Sequence, residues 1–413
     1  MAAKYFIRNI TSCLSRATIS SQNAIKQFPY ITNFLLSNRQ VSTACPVGIE
    51  EKRNRLVVQW KENLTDEYPL VWLRDNCQCS ACFDQSSQSR TINFSQFQLN
   101  QALRHLTIHD NNVEVHWVDG HKSQNWLKTN KAPYTTWDAD CFKSLPVFDF
   151  NAIMKEDNIL LDWLETLGVW GVGLIKDAPH GLGQVGSLAK RVAFVRKTHY
   201  GEEFSVQAKA DATNVAYTQG YLQLHTDLPY YEYKPGINLL HCHIQYKGNG
   251  GDSLLTDGFK IAEKLRENDP ETYKCLAETK VTWSDIGQEN GNHFHKIHHA
   301  PVICESDDGT IRRINYSQPQ RDSHMAVPID QVEKWYRALK KFYDLATDAR
   351  YLIEFKLKPG ELVTFDNLRI LHGRTAFGEN LKGERHVQGA YLDWDEARSR
   401  IRVLKAKLLG NKE

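Results

Sequence analysis

From Val169 to about residue 395 short apolar or alternating runs and Gly/Pro turns dominate the sequence, interrupted by helical stretches. Strands that short cannot each bury a face alone. They must stack into sheets sharing a core, so this stretch has to fold as a sandwich, jelly roll or barrel with its helices outside. Helical patterns fall near 259–280 and 330–346, and a basic helix carrying Arg398, Arg400, Arg402, Lys405 and Lys407 runs from about 395 to 408 as a solvated face. A further helix is expected from about 156 to 167, capped by Gly168, with a buried strand over Val169–Lys176. Pro359-Gly360 reads as a hairpin turn between Tyr351–Lys358 and Glu361–Phe365.

Residues 50–132 form a separate β-rich unit. Arg55–Trp60 and Asn112–Trp117 both alternate. About 80 residues make a small core that gains from a metal, and Cys77-Gln-Cys79-Ser-Ala-Cys82 supplies three thiols. A structural zinc takes four N or S ligands in a closed tetrahedron. His121, in the turn after Trp117, is the fourth ligand chosen here, with His105, His109 and His116 competing; free or redox-active thiols are the other reading of the cluster. Residues 133–148, with Ala132-Pro133 and Leu145-Pro146 at their ends, read as a linker before a second domain over 149–408.

The first acidic residue is Glu50, whereas Lys4, Arg8, Arg16, Lys26 and Arg39 precede it among many Ser and Thr. A basic, acid-free, Ser-rich segment over residues 1–45 is the composition of a mitochondrial presequence, with cleavage near Arg39–Thr43 and a matrix destination. A disordered basic tail on a cytoplasmic protein shares that composition. The formal net charge of +2 gives no electrostatic case for a nucleic-acid partner, and no apolar run approaches a membrane span.

Chemistry concentrates in three places. His225-Thr226-Asp227 aims an imidazole and a carboxylate at one space if the chain there is extended. His372, in Leu371-His-Gly-Arg374, closes an apolar run and precedes Gly373, where backbone can approach a ligand closely. Two His and one carboxylate make the facial triad of non-haem Fe(II) oxygenases, which leaves positions open for a chelating cosubstrate and oxygen. Arg385 lies thirteen residues beyond His372, the length of an antiparallel return, and a guanidinium there can hold the far carboxylate of a dicarboxylate bidentately. His293-Phe-His295-Lys-Ile-His298-His299 reads as an exposed loop, and His241 and His243 as satisfied core histidines.

Val71-Trp-Leu-Arg-Asp-Asn-Cys77, Asn214-Val-Ala-Tyr217, His225-Thr-Asp227, Leu239-Leu-His-Cys242, Gly250-Gly-Asp-Ser253, Asp257-Gly-Phe259 and Gly389-Ala-Tyr-Leu-Asp-Trp394, together with His372 and Arg385, resemble the γ-butyrobetaine and trimethyllysine dioxygenases. The likeness runs from about residue 52 to 408. It implies a mainly β protein with flanking helices: a double-stranded β-helix (jelly-roll) catalytic domain behind a small zinc-binding N-terminal domain, in a homodimer. It implies Fe(II) on His225, Asp227 and His372, 2-oxoglutarate on Arg385 with Ser253 nearby, zinc on Cys77, Cys79, Cys82 and His121, and ascorbate as reductant. The reaction implied is hydroxylation of γ-butyrobetaine to L-carnitine with release of succinate and CO2, or of trimethyllysine by the same chemistry. Cys79, absent from the trimethyllysine enzymes, and Trp283-Ser-Asp-Ile-Gly287 point to the first; the basic leader points to the second. A trimethylammonium group offers no hydrogen-bond donor and is recognised by aromatic faces. The resemblance places Tyr200, Phe204, Tyr217 and Tyr391 around it and Asn214 and Ser317 at the substrate carboxylate. Phe204 stands where the family pattern has Trp, and Ser317 where it has Asn. A non-catalytic jelly-roll binding protein and a zinc hydrolase built on the same triad are the more distant alternatives.

Overall fold

The computed structural model describes residues 46–60, 65–109, 112–124, 134–141, 145–207, 215–289, 291–378 and 385–409. The basic leader and Asn214 lie outside these. The chain divides into two compact units, one ending at Lys131 and the other beginning at Ala132.

In the first unit β1 (Pro46–Lys52), β2 (Arg55–Trp60) and β3 (Thr65–Pro69) form an antiparallel meander. Helix α1 (Leu70–Asp75) follows, then a two-residue ladder of β4 (Phe83–Asp84) and β5 (Ser89–Arg90). A second meander holds β6 (Leu103–His109), β7 (Asn112–Trp117) and β8 (Lys122–Gln124). The inward residues of both meanders and of α1 meet in one small core around Leu56, Val58, Leu73, Val115 and Trp117.

The second unit is two sheets packed face to face. The larger has the order β11 (Glu203–Val206), β22 (His386–Leu392), β13 (Ile237–Ile244), β20 (Leu362–Asp366), β10 (Val172–Lys176), β9 (Val147–Asp149), antiparallel except for the last pair. The smaller has the order β12 (Leu222–His225), β21 (Ile370–Arg374), β14 (Ser253–Asp257), β19 (Ile353–Phe355). Alternation decides which residues go where. Ile237, Leu239, Leu362, Ala390 and Leu392 face outward and are covered by α2 (Phe150–Lys155), α3 (Asp157–Trp170), α4 (Gln184–Val192) and α8 (Trp394–Leu409). Their neighbours Cys242, Val363 and Phe365 face inward and meet Leu255 and Ile370 of the smaller sheet. On that sheet's far side Leu224, Leu254 and Leu371 pack among α5 (Gly258–Asn268), α6 (Pro270–Glu278) and α7 (Ile329–Ala346). Two ribbons complete the unit: β15 (Val281–Glu289) with β16 (Asn292–Ala300), and β17 (Ile303–Glu305) with β18 (Ile311–Ile314). This layering is consistent with the expected jelly roll. Among the described residues no helix is long and apolar enough to cross a membrane.

Several local expectations are corrected. Helix α3 runs through Gly168 to Trp170 and ends at Gly171, whose φ of 73° supplies the left-handed cap that Gly168 does not. Pro359-Gly360 is not a hairpin turn but carries the chain from β19 in one sheet to β20 in the other. The supposed linker is not free of structure: Trp137 is buried, and its amide and indole donate to Asp257 Oδ2 (3.0 Å) and the Trp170 carbonyl (2.8 Å). The histidine-rich stretch is no loop but strand β16. His241 is a core residue, yet neither ring nitrogen has a hydrogen-bond partner among the described residues, nor does Nδ1 of His243. Burial accordingly pulls His241 down to about 4 and leaves it neutral at physiological pH.

Candidate active site

His225 and His372 are directly opposite each other on β12 and β21. Leu222 and His225 stand three positions apart, whereas their partners Arg374 and His372 stand two apart, so β12 carries a bulge. The bulge resets the alternation and lets both Leu222 and His225 face the cavity. Gly373 lies across from it. A Cβ there would stand 2.6 Å from the Leu222 carbonyl oxygen, so β12 itself approaches closely at Gly373, which also lines the cleft. Gly373→Ala is therefore expected to cost about 1–3 kcal/mol through overpacking and to separate the two imidazoles. Urea unfolding and iron titration would check this; unchanged iron affinity would refute it.

Asp227 comes just after β12, in a turn completed by Leu228 at φ 55°. Its backbone amide donates to Asn367 Oδ1 (2.7 Å), and the Asn367 amide donates back to the Asp227 carbonyl (3.1 Å). Its Oδ2 accepts from Asn238 Nδ2 (2.6 Å) and Tyr391 Oη (2.9 Å), neighbours across the β13–β22 ladder that both face inward. The other oxygen, Oδ1, is thereby left toward His225 Nε2 at 3.3 Å and His372 Nε2 at 3.5 Å. His225 Nδ1 lies 2.8 Å from the Gln223 carbonyl, which can only accept, so Nδ1 holds the proton and Nε2 keeps a free lone pair. Phe365 packs 4.7 Å from the His372 ring and fixes it from the opposite sheet.

Burial alone would push the Asp227 carboxyl up, but His372 and His225 beside it hold it well below the usual range. Burial, with His225 close by, pulls His372 down. A carboxylate at Asp227 and a neutral imidazole at His372 are the protonation states that a metal requires. Two imidazole nitrogens and one carboxylate oxygen within 4.8 Å of one another fit Fe(II) with open positions.

The surrounding cleft, enclosing about 110 Å³, is lined by Ser253, Arg374 and Arg385 together with Tyr200, Phe204, Tyr217, Tyr230 and Tyr391. Arg385 precedes β22, so it reaches the cavity from the larger sheet, opposite β21, rather than as an antiparallel neighbour of the His372 strand. Its guanidinium is buried and donates to the Gly251 carbonyl (3.3 Å). No carboxylate pairs with it among the described residues, and burial lowers its pKa. A buried cation in that state is a seat for an anion. Phe204 stacks on Tyr391, rings 5.0 Å apart, and lies across Gly389, where a Cβ would strike its ring. Ser317 is fully buried with its hydroxyl given to Gln320, which itself lines the cleft.

Sequence reasoning missed Arg374, Asn238, Asn367, Tyr230 and Gln320. Arg374 donates to the carbonyls of Ala216 (3.2 Å), Thr218 (2.6 Å) and Gly220 (2.9 Å), pinning the 3-10 turn that carries Tyr217. For Asn238 a signal was present, as the one polar residue in an apolar stretch of β13.

In the first unit Cys77, Cys79, Cys82 and His121 place donor atoms within 4.8 Å of one another. His121 Nδ1 lies 3.2 Å from both Cys79 and Cys82 Sγ. His116 instead pairs with Glu114 (2.6 Å) and packs against His105, so neither joins the cluster. Arg74 donates to Cys82 Sγ (3.4 Å) and to Asp119 (2.9 Å). Burial raises the Cys79 thiol, but hydrogen bonds, from His121 first, outweigh it and draw the group down to about 6.

With both sites described, the relatives can be placed. The pattern of the family described as taurine catabolism dioxygenase TauD, TfdA family matches residues 131–391, and that of gamma-butyrobetaine hydroxylase-like, N-terminal, matches 47–127. The gamma-butyrobetaine dioxygenase of Pongo abelii is 36% identical over 367 residues, covering 85% of this chain and 94% of the relative. That of Pseudomonas sp. (strain AK-1) is 33% identical, covering 84% and 93%.

The chain belongs to the γ-butyrobetaine dioxygenase family within the TauD/TfdA dioxygenases.

It is thus an Fe(II)- and 2-oxoglutarate-dependent oxygenase. Mitochondrial trimethyllysine dioxygenase of Rattus norvegicus is more distant, at 27% identity with 82% of each chain covered.

Proposed function

We propose that this chain hydroxylates γ-butyrobetaine to L-carnitine, consuming 2-oxoglutarate and O2 and releasing succinate and CO2. The observation that carries this reading is the likeness to γ-butyrobetaine dioxygenases along nearly their whole length, joined to a cleft whose metal-type triad faces a wall of aromatic rings.

His225 Nε2, His372 Nε2 and Asp227 Oδ1 hold Fe(II), with Asn238 and Tyr391 keeping the second carboxylate oxygen from turning inward. Iron supplies the redox chemistry that couples 2-oxoglutarate decarboxylation to insertion of one oxygen atom into a substrate C–H bond. Arg385 takes the distal carboxylate of 2-oxoglutarate beside Ser253. Tyr200, Phe204, Tyr217 and Tyr391 receive the trimethylammonium group through their faces, and Ser317 with Gln320, and Asn214, serve the substrate carboxylate. Phe is a poorer π-donor than Trp, so Phe204 weakens the cage without opening it. The apolar walls keep water from the reacting carbon.

Arg385 has no carboxylate to orphan among the described residues, so Arg385→Leu should fold while losing cosubstrate. An increase of about 30-fold or more in the 2-oxoglutarate KM is expected, read from succinate release across a 2-oxoglutarate series; an unchanged KM would remove Arg385 from the site.

Zinc on Cys77, Cys79, Cys82 and His121 belongs to the same reading, as a closed four-donor site that supports folding. So do a homodimer and a matrix location, the latter resting on the composition of the leader. The deciding assay loads the chain anaerobically with Fe(II), adds 2-oxoglutarate, O2 and ascorbate, and offers γ-butyrobetaine and trimethyllysine separately. Oxygen incorporation into γ-butyrobetaine is expected. Selective hydroxylation of trimethyllysine would overturn the substrate and keep the chemistry.

A further inference from the structure

Arg374 stands two positions after His372 on β21, and residues i and i+2 of a strand share a face, so the iron ligand and the guanidinium both line the cleft. The side chain is buried. Among the described residues its hydrogen bonds go to main-chain carbonyls alone, those of Ala216 (3.2 Å), Thr218 (2.6 Å) and Gly220 (2.9 Å). Burial, with Arg385 nearby, draws the group down to about 10, which leaves it charged at physiological pH.

A second anchor lies three residues further on. The Phe377 amide donates to the Gln219 carbonyl (3.1 Å), and the Arg374 guanidinium sits over the Phe377 ring, 4.9 Å from its centroid. Four of the five carbonyls from Ala216 to Gly220 are thus bonded to Arg374 or Phe377. That stretch joins the 3-10 turn Val215–Tyr217 to the start of β12 at Leu222. Tyr217 is buried and lines the cleft. Strand pairing does not reach it, because the ladder of β12 with β21 begins only where Leu222 faces Arg374. The position of Tyr217 relative to His372 therefore depends on side-chain bonds from the His372 strand, not on the sheet.

We propose that Arg374 is a positioning residue for the substrate: by clasping residues 216–220 against the strand of His372, it sets how far the Tyr217 ring stands from the iron ligands and so which substrate carbon meets the iron. This inference rests on the trimethylammonium reading of the cleft. The clasp needs the planar fork of arginine. Nη1 serves one carbonyl and Nη2 two, a spread that a guanidinium spans and the compact ammonium of lysine does not. Misplacing a bound group by about 1 Å can cost on the order of 100-fold in rate. A loosened Tyr217 would thus weaken substrate binding and present the wrong carbon. Decarboxylation of 2-oxoglutarate would then run ahead of hydroxylation, with ascorbate consuming the unused oxidising equivalents.

Arg374→Lys keeps the positive charge in the cleft and removes the fork. The full chain is assayed with Fe(II), O2 and ascorbate, varying γ-butyrobetaine and 2-oxoglutarate in turn and measuring succinate and carnitine together. The γ-butyrobetaine KM is expected to rise about tenfold while the 2-oxoglutarate KM stays within about twofold, and succinate should exceed carnitine. Tyr217→Leu should raise the γ-butyrobetaine KM as well, and the double variant should be no worse than Tyr217→Leu alone, because residues acting as one unit do not add. Arg374→Gln, shorter and with two amide donors, is expected to show the same split and serves if the lysine variant does not fold. Parent-like KM and coupling, equal rises in both KM values, or additive losses in the double variant would each overturn the proposal and leave the substrate reading standing. A parent protein that does not hydroxylate γ-butyrobetaine would overturn that reading and this inference with it.

Discussion

Asp227→Ala is expected to abolish hydroxylation and 2-oxoglutarate consumption together while the zinc proposed for the cysteine cluster is retained. The substitution removes more than one ligand atom. Asn238 and Tyr391, which now donate to Oδ2 at 2.6 and 2.9 Å, lose their acceptor. His225 and His372 lose the negative charge lying 3.3 and 3.5 Å away. Loss of an outer partner of a metal site costs about 10–100-fold in metal affinity or activity, and loss of the ligand itself should exceed the upper end. Metal analysis together with succinate release would decide it. Retained turnover above a few per cent would mean that the iron is held elsewhere. A parallel loss of zinc would mean that global unfolding, not ligation, explains the defect.

The second large effect concerns stability. Asp257 and Arg369 form an ion pair at 2.7 Å with almost no side-chain exposure on either residue. Asp257 Oδ1 also accepts from Arg369 Nε (3.0 Å) and from the Phe259 amide (3.1 Å), capping α5, and Oδ2 accepts from the Trp137 amide (3.0 Å). The guanidinium further donates to the carbonyls of Val169 (3.0 Å) and Thr135 (2.5 Å). The pair therefore joins the end of β14, the segment around Trp137 and the turn that leads into β21 and His372. Asp257→Ala leaves a buried guanidinium without its counter-ion, and removing one partner of such a pair costs about 3–5 kcal/mol. Denaturant unfolding of the catalytic unit should show a loss of that size, little affected by salt because the pair is shielded from solvent. A change below 1 kcal/mol would show that water or another acidic group replaces the carboxylate. Replacing both residues by apolar ones is expected to recover part of the loss, since the desolvation cost vanishes with the charges.

The triad was legible because its signals are local. His225 and Asp227 stand two apart, and His372 closes an apolar run, so strand alternation with those residue types is enough. The cysteine cluster was legible for the same reason, with only the choice among histidines open; among the described residues His121 is the histidine whose ring nitrogen lies with the three thiols. What supports the triad was not legible. Asn238 and Tyr391 converge on Asp227 from a different sheet, and Arg374 reaches back about 155 residues to hold the turn bearing Tyr217. The same limit explains Arg385, placed correctly at the cavity but on the wrong sheet: a separation of thirteen residues is compatible with an antiparallel neighbour and with a crossover to the facing layer. Gly373 shows it most sharply. Its lack of a side chain was noticed for the sake of a ligand, but the bulge on β12 that also needs it lies about 150 residues earlier and left no mark beside it in the sequence.

By itself, then, the sequence determined the residue types of both donor sets, the presence of two units and the predominance of strands, all of which follow from periodicity and spacing over a few residues. The tertiary structure alone decided which oxygen of Asp227 faces the histidines and that Arg385, lining the cleft, pairs with no carboxylate among the described residues. Those are properties of facing layers. Hydrogen bonds and charges act across the few ångströms between two sheets, and no pattern along either strand records what the opposite strand presents.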